Sequence, residues 1–244
     1  QLDEAEILVQ KILAEKPDDL DALNSYGLIL LQQKRFDDAI KQFRYAFEIR
    51  KDDPNIIENL VRAITLFTKQ CMERNQHNLA EQLLRSMIVS LPENSELYCH
   101  LSFVLSQSGK CDEALAVSET ALELDQESPH SHDVRGLAFL GLGRLKPALS
   151  SFRQALRNNP NFVSAQVNLS SVLLELKDYE VAIEQLEQAK KIEPKNPKIF
   201  NNLGLAYAGK AQFEEAEKYL RVAIKLLPEF AEAHFNLSRI LLMK

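Results

Sequence analysis

Asparagine recurs at positions 168, 202 and 236, at intervals of 34 and 34 residues. Followed backwards, the same column reads Ser25, Asn59, His100 and Val134, with one wider step of 41 residues between Asn59 and His100. An amide offers both N–H donors and a carbonyl acceptor, so a row of amides suits an extended peptide backbone without demanding particular ligand side chains. Amides that merely satisfy adjacent backbone groups or water leave the same trace in a sequence. Arg62, Lys198 and Arg239 add cations that could meet acidic side chains, although charges on a solvated helix contribute little as a rule. His100 adds a group able to respond to pH.

Other chemistry is poorly supported. Cys99 and His100 are of the types that bind zinc, and so are His130 and His132. On a helix, however, sequence neighbours diverge by about 100° and residues two apart by about 200°, so no metal site is expected. The chain lacks a glycine-rich phosphate loop, a Gly-x-Ser-x-Gly elbow and a His-Glu-x-x-His pair. Paired acids such as Asp37-Asp38 and Glu214-Glu215 open helical segments, where negative charge favours the N-terminal dipole. No catalytic residue and no cofactor is expected, and the chain itself reads as a non-enzyme.

Composition narrows the class further. In 244 residues the hydrophobic fraction is 45% and the charged fraction 26%, which suits a folded chain rather than a disordered one. The formal net charge of -6 argues against a nucleic-acid partner. No apolar run approaches the roughly 18 to 20 residues that span a bilayer, so membrane insertion is not expected. Three cysteines, Cys71, Cys99 and Cys111, do not suggest a disulfide framework, and the expected compartment is the cytoplasm. The chain opens on Gln1 without the order of a signal peptide, and it reads as part of something longer.

The elements that must carry the amides repeat. Ala5, Ala39, Ala80, Ala114, Ala148, Ala182 and Ala216 are separated by 34, 41, 34, 34, 34 and 34 residues. Twelve residues after them stand Pro17, Pro92, Pro160, Pro194 and Pro228, with Lys51 and Gln126 as the exceptions. Nineteen residues before certain of these alanines lie helix starts, at Pro129 and Pro197, where proline is tolerated in the first turn; Pro54 opens the corresponding helix of the wider unit. Apolar positions recur at helical spacing, as in Leu169 and Leu173 followed by Ala182, Leu186 and Ala189. The pattern is helix, short turn, helix, short turn. Small residues at Gly27, Gly136 and Gly204 would let the paired helices approach closely.

The seven extra residues of the wider unit amount to about two helical turns. They predict a first helix from about Pro54 to about Arg74, with a turn at Asn75–Asn78. Its extension, containing Cys71 and Met72, should project beyond its neighbours, either as a neutral insertion or as a contact point for a partner.

This register resembles the tetratricopeptide repeat family over essentially the whole chain. One unit reads Leu203-Gly204, Tyr207, Ala216, Leu220, Ala223, Pro228 and another Tyr26-Gly27, Leu30, Ala39, Phe43, Ala46. Arg135 where leucine is usual, Ser118 where a larger residue is usual, and Pro147 depart from the pattern. The resemblance implies an all-α superhelical solenoid over 1–244. It comprises six full repeats (20–53, 54–94, 95–128, 129–162, 163–196, 197–230) between half repeats at 1–19 and 231–244.

The resemblance also implies that first helices line a concave groove. Asn59, His100, Asn168, Asn202 and Asn236, with Lys198, Arg62 and Arg239, are then the candidate peptide-binding residues. The array of O-linked N-acetylglucosamine transferase carries a comparable asparagine ladder. Two functions follow: a scaffold binding an extended peptide or partner segment, or the substrate-recognition arm of a larger transferase. Residues matching the family's clamp for C-terminal carboxylates (Val167, Ser171, Asn202, Glu232, Asn236) fit it poorly, because Glu232 would repel a carboxylate. Ile240–Met243 is expected to face a helix outside the chain, where a dimer mate or adjoining domain could dock.

Overall fold

The computed structural model describes residues 2–243. These form α-helices without a strand. Second helices of the hairpins are α1 (Leu2–Glu15), α3 (Phe36–Ile49), α5 (His77–Ser90), α7 (Cys111–Leu124), α9 (Leu145–Asn158), α11 (Tyr179–Ile192) and α13 (Phe213–Leu226). First helices are α2 (Leu20–Gln32), α4 (Pro54–Glu73), α6 (Ser95–Gln107), α8 (Pro129–Gly141), α10 (Val163–Glu175), α12 (Pro197–Gly209) and α14 (Ala231–Met243). The helices group into two compact units, residues 1–104 and 105–244.

Local chemistry explains where each helix starts and stops. Several first helices are capped by a side chain. Asp19 accepts from the Ala22 amide at 3.0 Å, Asp53 from those of Asn55 and Ile56, Ser128 from that of Ser131 and Asn196 from that of Lys198. Such caps satisfy amide groups that have no partner inside the helix. Inside each hairpin the first helix ends on a residue with positive φ: Lys34, Asn75, Gly109, Gly143, Lys177 and Ala211. The following amide returns to the carbonyl five residues back, as from Arg35 to Leu30 and from Gln212 to Tyr207, both at 2.9 Å. This is the C-terminal capping geometry in which a left-handed residue closes the helix.

Within each hairpin the close approach rests on size complementarity. In the first unit Phe43, fully buried, lies over Gly27. In the second unit Phe152 lies over Gly136 in the same way and Leu220 over Gly204. A Cβ placed on Gly136 would fall 2.5–2.8 Å from three ring carbons of Phe152. From the second member on, the alanine column is fully buried, with Ala39, Ala80, Ala114, Ala148, Ala182 and Ala216 all at 0% exposure, while Ala5 is half-buried. Phe152 then packs with Ala148, Leu169, Val172, Leu173 and Ala182, so one hairpin's core is finished by the next.

The wider unit keeps its packing face. Its first helix has 20 residues where the other first helices have 13, a whole-turn insertion. The extension does not simply stand clear, because Thr68 and Cys71 are buried while Lys69, Glu73 and Arg74 remain exposed. Burial pushes the Cys71 thiol up from its ordinary value, which makes it a packing residue rather than a reactive one. At the other end Ile240 also departs from expectation. It is 4% exposed and packs on Ala216 and Leu220, and it is Phe235, Leu241, Leu242 and Met243 that are exposed.

Candidate functional site

In the second unit α8, α10, α12 and α14 stand side by side and carry Asn168, Asn202 and Asn236 on successive helices. The amides do not stand free on this face. Asn168 Nδ2 donates to Asp133 Oδ1 of the preceding first helix at 2.9 Å. Asn236 Nδ2 donates to Asn201 Oδ1, also at 2.9 Å. Asn202 Nδ2 donates to the hydroxyls of Ser170 and Ser171, both at 3.1 Å. Its Oδ1 accepts from Asn201 Nδ2. In the first unit Asn59 Nδ2 donates to Asn24 Oδ1 at 2.8 Å.

A rule of position emerges. Each of Asn59, Asn168 and Asn236 bonds the residue 35 positions earlier, which stands one place before the amide column of the previous repeat. Where that place is polar (Asn24, Asp133, Asn201), it receives the bond. Where it is Val167, Asn202 turns instead to two serines one turn along α10. The amides thus tie adjacent first helices together, and their exposure differs accordingly. Asn202 and Asn236 are buried, at 7% and 6% exposure, whereas Asn168 and Asn59 are half-buried. The ladder expected along the groove therefore consists of one half-buried amide, Asn168, and two buried ones, Asn202 and Asn236. A buried amide that loses its partners costs more than a neutral surface bond contributes. Asn202→Ala is therefore expected to cost about 1–3 kcal/mol, and Asn168→Ala a comparable amount at neutral pH because it strips a donor from the buried Asp133 carboxylate, both measured by urea denaturation.

Two depressions receive the remaining candidates. In the second unit a pocket of about 350 Å³ is lined by Leu174, Tyr179, Leu205 and Ile240, with Glu175, Asn236 and Arg239 as its polar groups. Arg239 forms no ion pair among the described residues and lies 5.8 Å from the Phe235 ring. In the first unit a wider pocket of about 600 Å³ holds Arg62 with Glu58, Thr65 and Glu96. His100 reaches it through Thr65, whose Oγ1 lies 2.9 Å from His100 Nε2. Lys198 is exposed on the first turn of α12 and joins neither pocket. Among the described residues no group of three or more His, Cys, Asp or Glu side chains could hold a metal ion. No described helix is long and apolar enough to cross a membrane.

The residue that sequence reading missed is Asp133. It is 5% exposed, and burial pushes its carboxyl up to about 6, against the opposing pull of the Asn168 and Ser164 hydrogen bonds. Ser164 Oγ donates to Asp133 Oδ2 at 2.9 Å. On the same helix His132 is also buried. Its Nε2 faces the Gln126 carbonyl at 3.0 Å and must carry the proton, which leaves Nδ1 to accept from Arg135 at 3.3 Å. Burial is the main cause holding His132 below its ordinary value. Arg135, standing where leucine is usual, donates its Nε to Ser151 Oγ at 3.2 Å, so the departure from pattern is met by a polar partner.

Comparison with known proteins places these features. Tetratricopeptide repeat profiles match residues 1–54, 95–128, 129–162 and 201–244, and a TPR repeat profile matches 171–210. The longer of the two unmatched stretches, 55–94, lies within the 41-residue unit, and the shorter is 163–170. The chain belongs to the tetratricopeptide repeat family. The BBSome complex member bbs-4 of Caenorhabditis elegans is 22% identical over 202 residues, covering 82% of this chain and 44% of that protein. The human Protein O-mannosyl-transferase TMTC3 is 22% identical, covering 88% of this chain and 28% of that protein. The crystal structure of the APC/C hetero-tetramer Cut9-Hcn1 superposes with a TM-score of 0.75 at 16% identity, over 99% of this chain and 46% of that chain. The tetratricopeptide chain thus spans less than half the length of these relatives. Proteins of this repeat family generally mediate protein–protein interactions, and the fold here is the all-α form expected.

Proposed function

We propose that the first-helix face of residues 105–244 binds an extended segment of a protein partner and that the chain is a non-catalytic interaction module. The observation that carries this reading is an apolar pocket edged by Arg239, on the same run of first helices as an amide, Asn168, whose Oδ1 has no partner among the described residues. A pocket of this size takes one large apolar side chain. Arg239 beside it suits a neighbouring carboxylate, and Asn168 Oδ1 suits a ligand backbone N–H. The match to a BBSome complex member is in keeping with work inside a protein assembly. The match to Protein O-mannosyl-transferase TMTC3 supports a second reading, a substrate-recognition arm of a larger transferase, which would use the same face.

An array of extended peptides probes both readings. Wild type is expected to retain peptides that pair an aromatic or leucine with an adjacent Asp or Glu. Arg239→Ala is expected to weaken retention tenfold or so, corresponding to about 1.4 kcal/mol for one charge-assisted contact. Retention unaltered by Arg239→Ala and by Asn168→Ala would remove this face from consideration.

A further inference from the structure

Asp133, Ser164 and Asn168 close a ring of three hydrogen bonds. Ser164 Oγ donates to Asp133 Oδ2, Asn168 Nδ2 donates to Asp133 Oδ1, and Asn168 Nδ2 also approaches Ser164 Oγ at 3.4 Å. The direction of these bonds is not arbitrary. An ionised carboxylate only accepts, so whatever faces it must donate. An Asn–Asn pair such as Asn24 with Asn59, or Asn201 with Asn236, can exchange donor and acceptor by flipping both amides; the Asp133–Asn168 pair cannot. With its NH2 directed into the ring, Asn168 turns its Oδ1 away from it, and that oxygen has no partner among the described residues.

We propose that Asp133 is a positioning residue for the groove: its carboxylate holds the Asn168 amide in one orientation, NH2 toward the preceding repeat and Oδ1 toward the ligand, and its protonation releases that constraint. A protonated carboxyl becomes a donor as well as an acceptor, and the Asn168 carbonyl can then turn to meet it. The consequence for recognition rests on the groove reading above: with Asp133 ionised, Asn168 selects ligand N–H donors, and with Asp133 neutral it loses that preference.

The surroundings make Asp133 responsive. The groups that hold it, Asn168 and Ser164 of α10, are neutral. Charged side chains nearby act on other groups. His132 and Arg135 share its helix, with Glu119 of α7 acting on Arg135, and Arg157 of α9 and Asp125 between α7 and α8 acting on His132. None of these contributes to the shift of Asp133, which burial dominates.

The test needs no ligand, so its failure is separable from failure of the groove reading. In the full chain, the side-chain NH2 resonances of Asn168 are followed by NMR from pH 4.5 to 7.5. Wild type is expected to show one titration step near pH 6, with slow side-chain exchange above it, and Asp133→Asn is expected to show none. In Ser164→Ala, loss of a donor to the charged form is expected to move the step to higher pH. Asn168 resonances that stay fixed across the range would overturn the proposal. So would a step that persists in Asp133→Asn, or one unmoved in Ser164→Ala, which serves as the deciding variant if Asp133→Asn does not fold.

Discussion

Phe152→Ala is expected to destabilise the second unit by about 3–5 kcal/mol, the range for removing a fully buried aromatic ring. Phe152 is 0% exposed and bridges its own hairpin to the next through Leu169, Val172 and Leu173. In a stacked array the cost is therefore shared by two repeats and appears as lost cooperativity as well as lost stability. Gly136→Ala is the complementary experiment. Its new methyl meets the ring carbons of Phe152, whose position is fixed by full burial, so overpacking of about 1–3 kcal/mol is expected. In Gly136→Ala/Phe152→Ala the obstacle is gone. Alanine then gains about 0.5–1 kcal/mol over glycine inside a helix, and the double variant should be no less stable than Phe152→Ala alone. Urea denaturation followed by helicity, with hydrogen exchange on α8 to α10, separates the cases. Costs that simply add would show that ring and glycine are not complementary.

That complementarity was legible in the sequence because it is periodic. Gly27, Gly136 and Gly204 precede Phe43, Phe152 and Leu220 by 16 residues each, and the turn residues with positive φ recur at the same period. A repeat exposes its own packing code, since every unit must solve the same helix–helix contact. The seven-residue insertion was legible for the same reason: whole turns preserve the face, and α4 lengthens by that amount. What sequence reading could not supply was the burial of Thr68 and Cys71, which depends on packing between helices and not on spacing within one.

The amide column shows where periodicity ceases to inform. Position alone put Asn168, Asn202 and Asn236 on equivalent sites, yet each finds a different partner. The decisive residue lies 35 positions earlier, where Asp133, Val167 and Asn201 differ in kind. The signal was present, since Asn24, Asp133 and Asn201 are polar at one place in the repeat while Val167 is apolar. Reading it required knowing that first helices bond across repeats, which helical spacing within one repeat does not reveal. Arg62 and Arg239 fared differently: long charged side chains at the rim keep their heads in water whatever the interior does.

Asp133→Asn should stabilise the protein at neutral pH, by an amount that vanishes in acid. The folded carboxyl is pushed up to about 6 from an ordinary value of 3.8. A raised carboxyl contributes stability that is fully present below the unfolded value and is lost as pH rises through the folded one. Roughly two units correspond to about 3 kcal/mol between pH 4 and pH 7. At 5% exposure there is little solvent to screen it. Asparagine is uncharged throughout that window and can accept from Asn168 as Asn24 and Asn201 accept from Asn59 and Asn236. His132 acts in the opposite sense. Its lowered value makes its contribution present above the ordinary histidine range and lost as pH falls through the folded one. Because His132 is common to wild type and variant, the difference between their unfolding free energies isolates Asp133. That difference is expected to favour Asp133→Asn at pH 7, to halve near pH 5, midway between the unfolded and folded values, and to fade out below pH 4. A difference independent of pH would mean that the substitution acts through packing, and that the carboxyl in the ring of Ser164 and Asn168 is not the group being titrated.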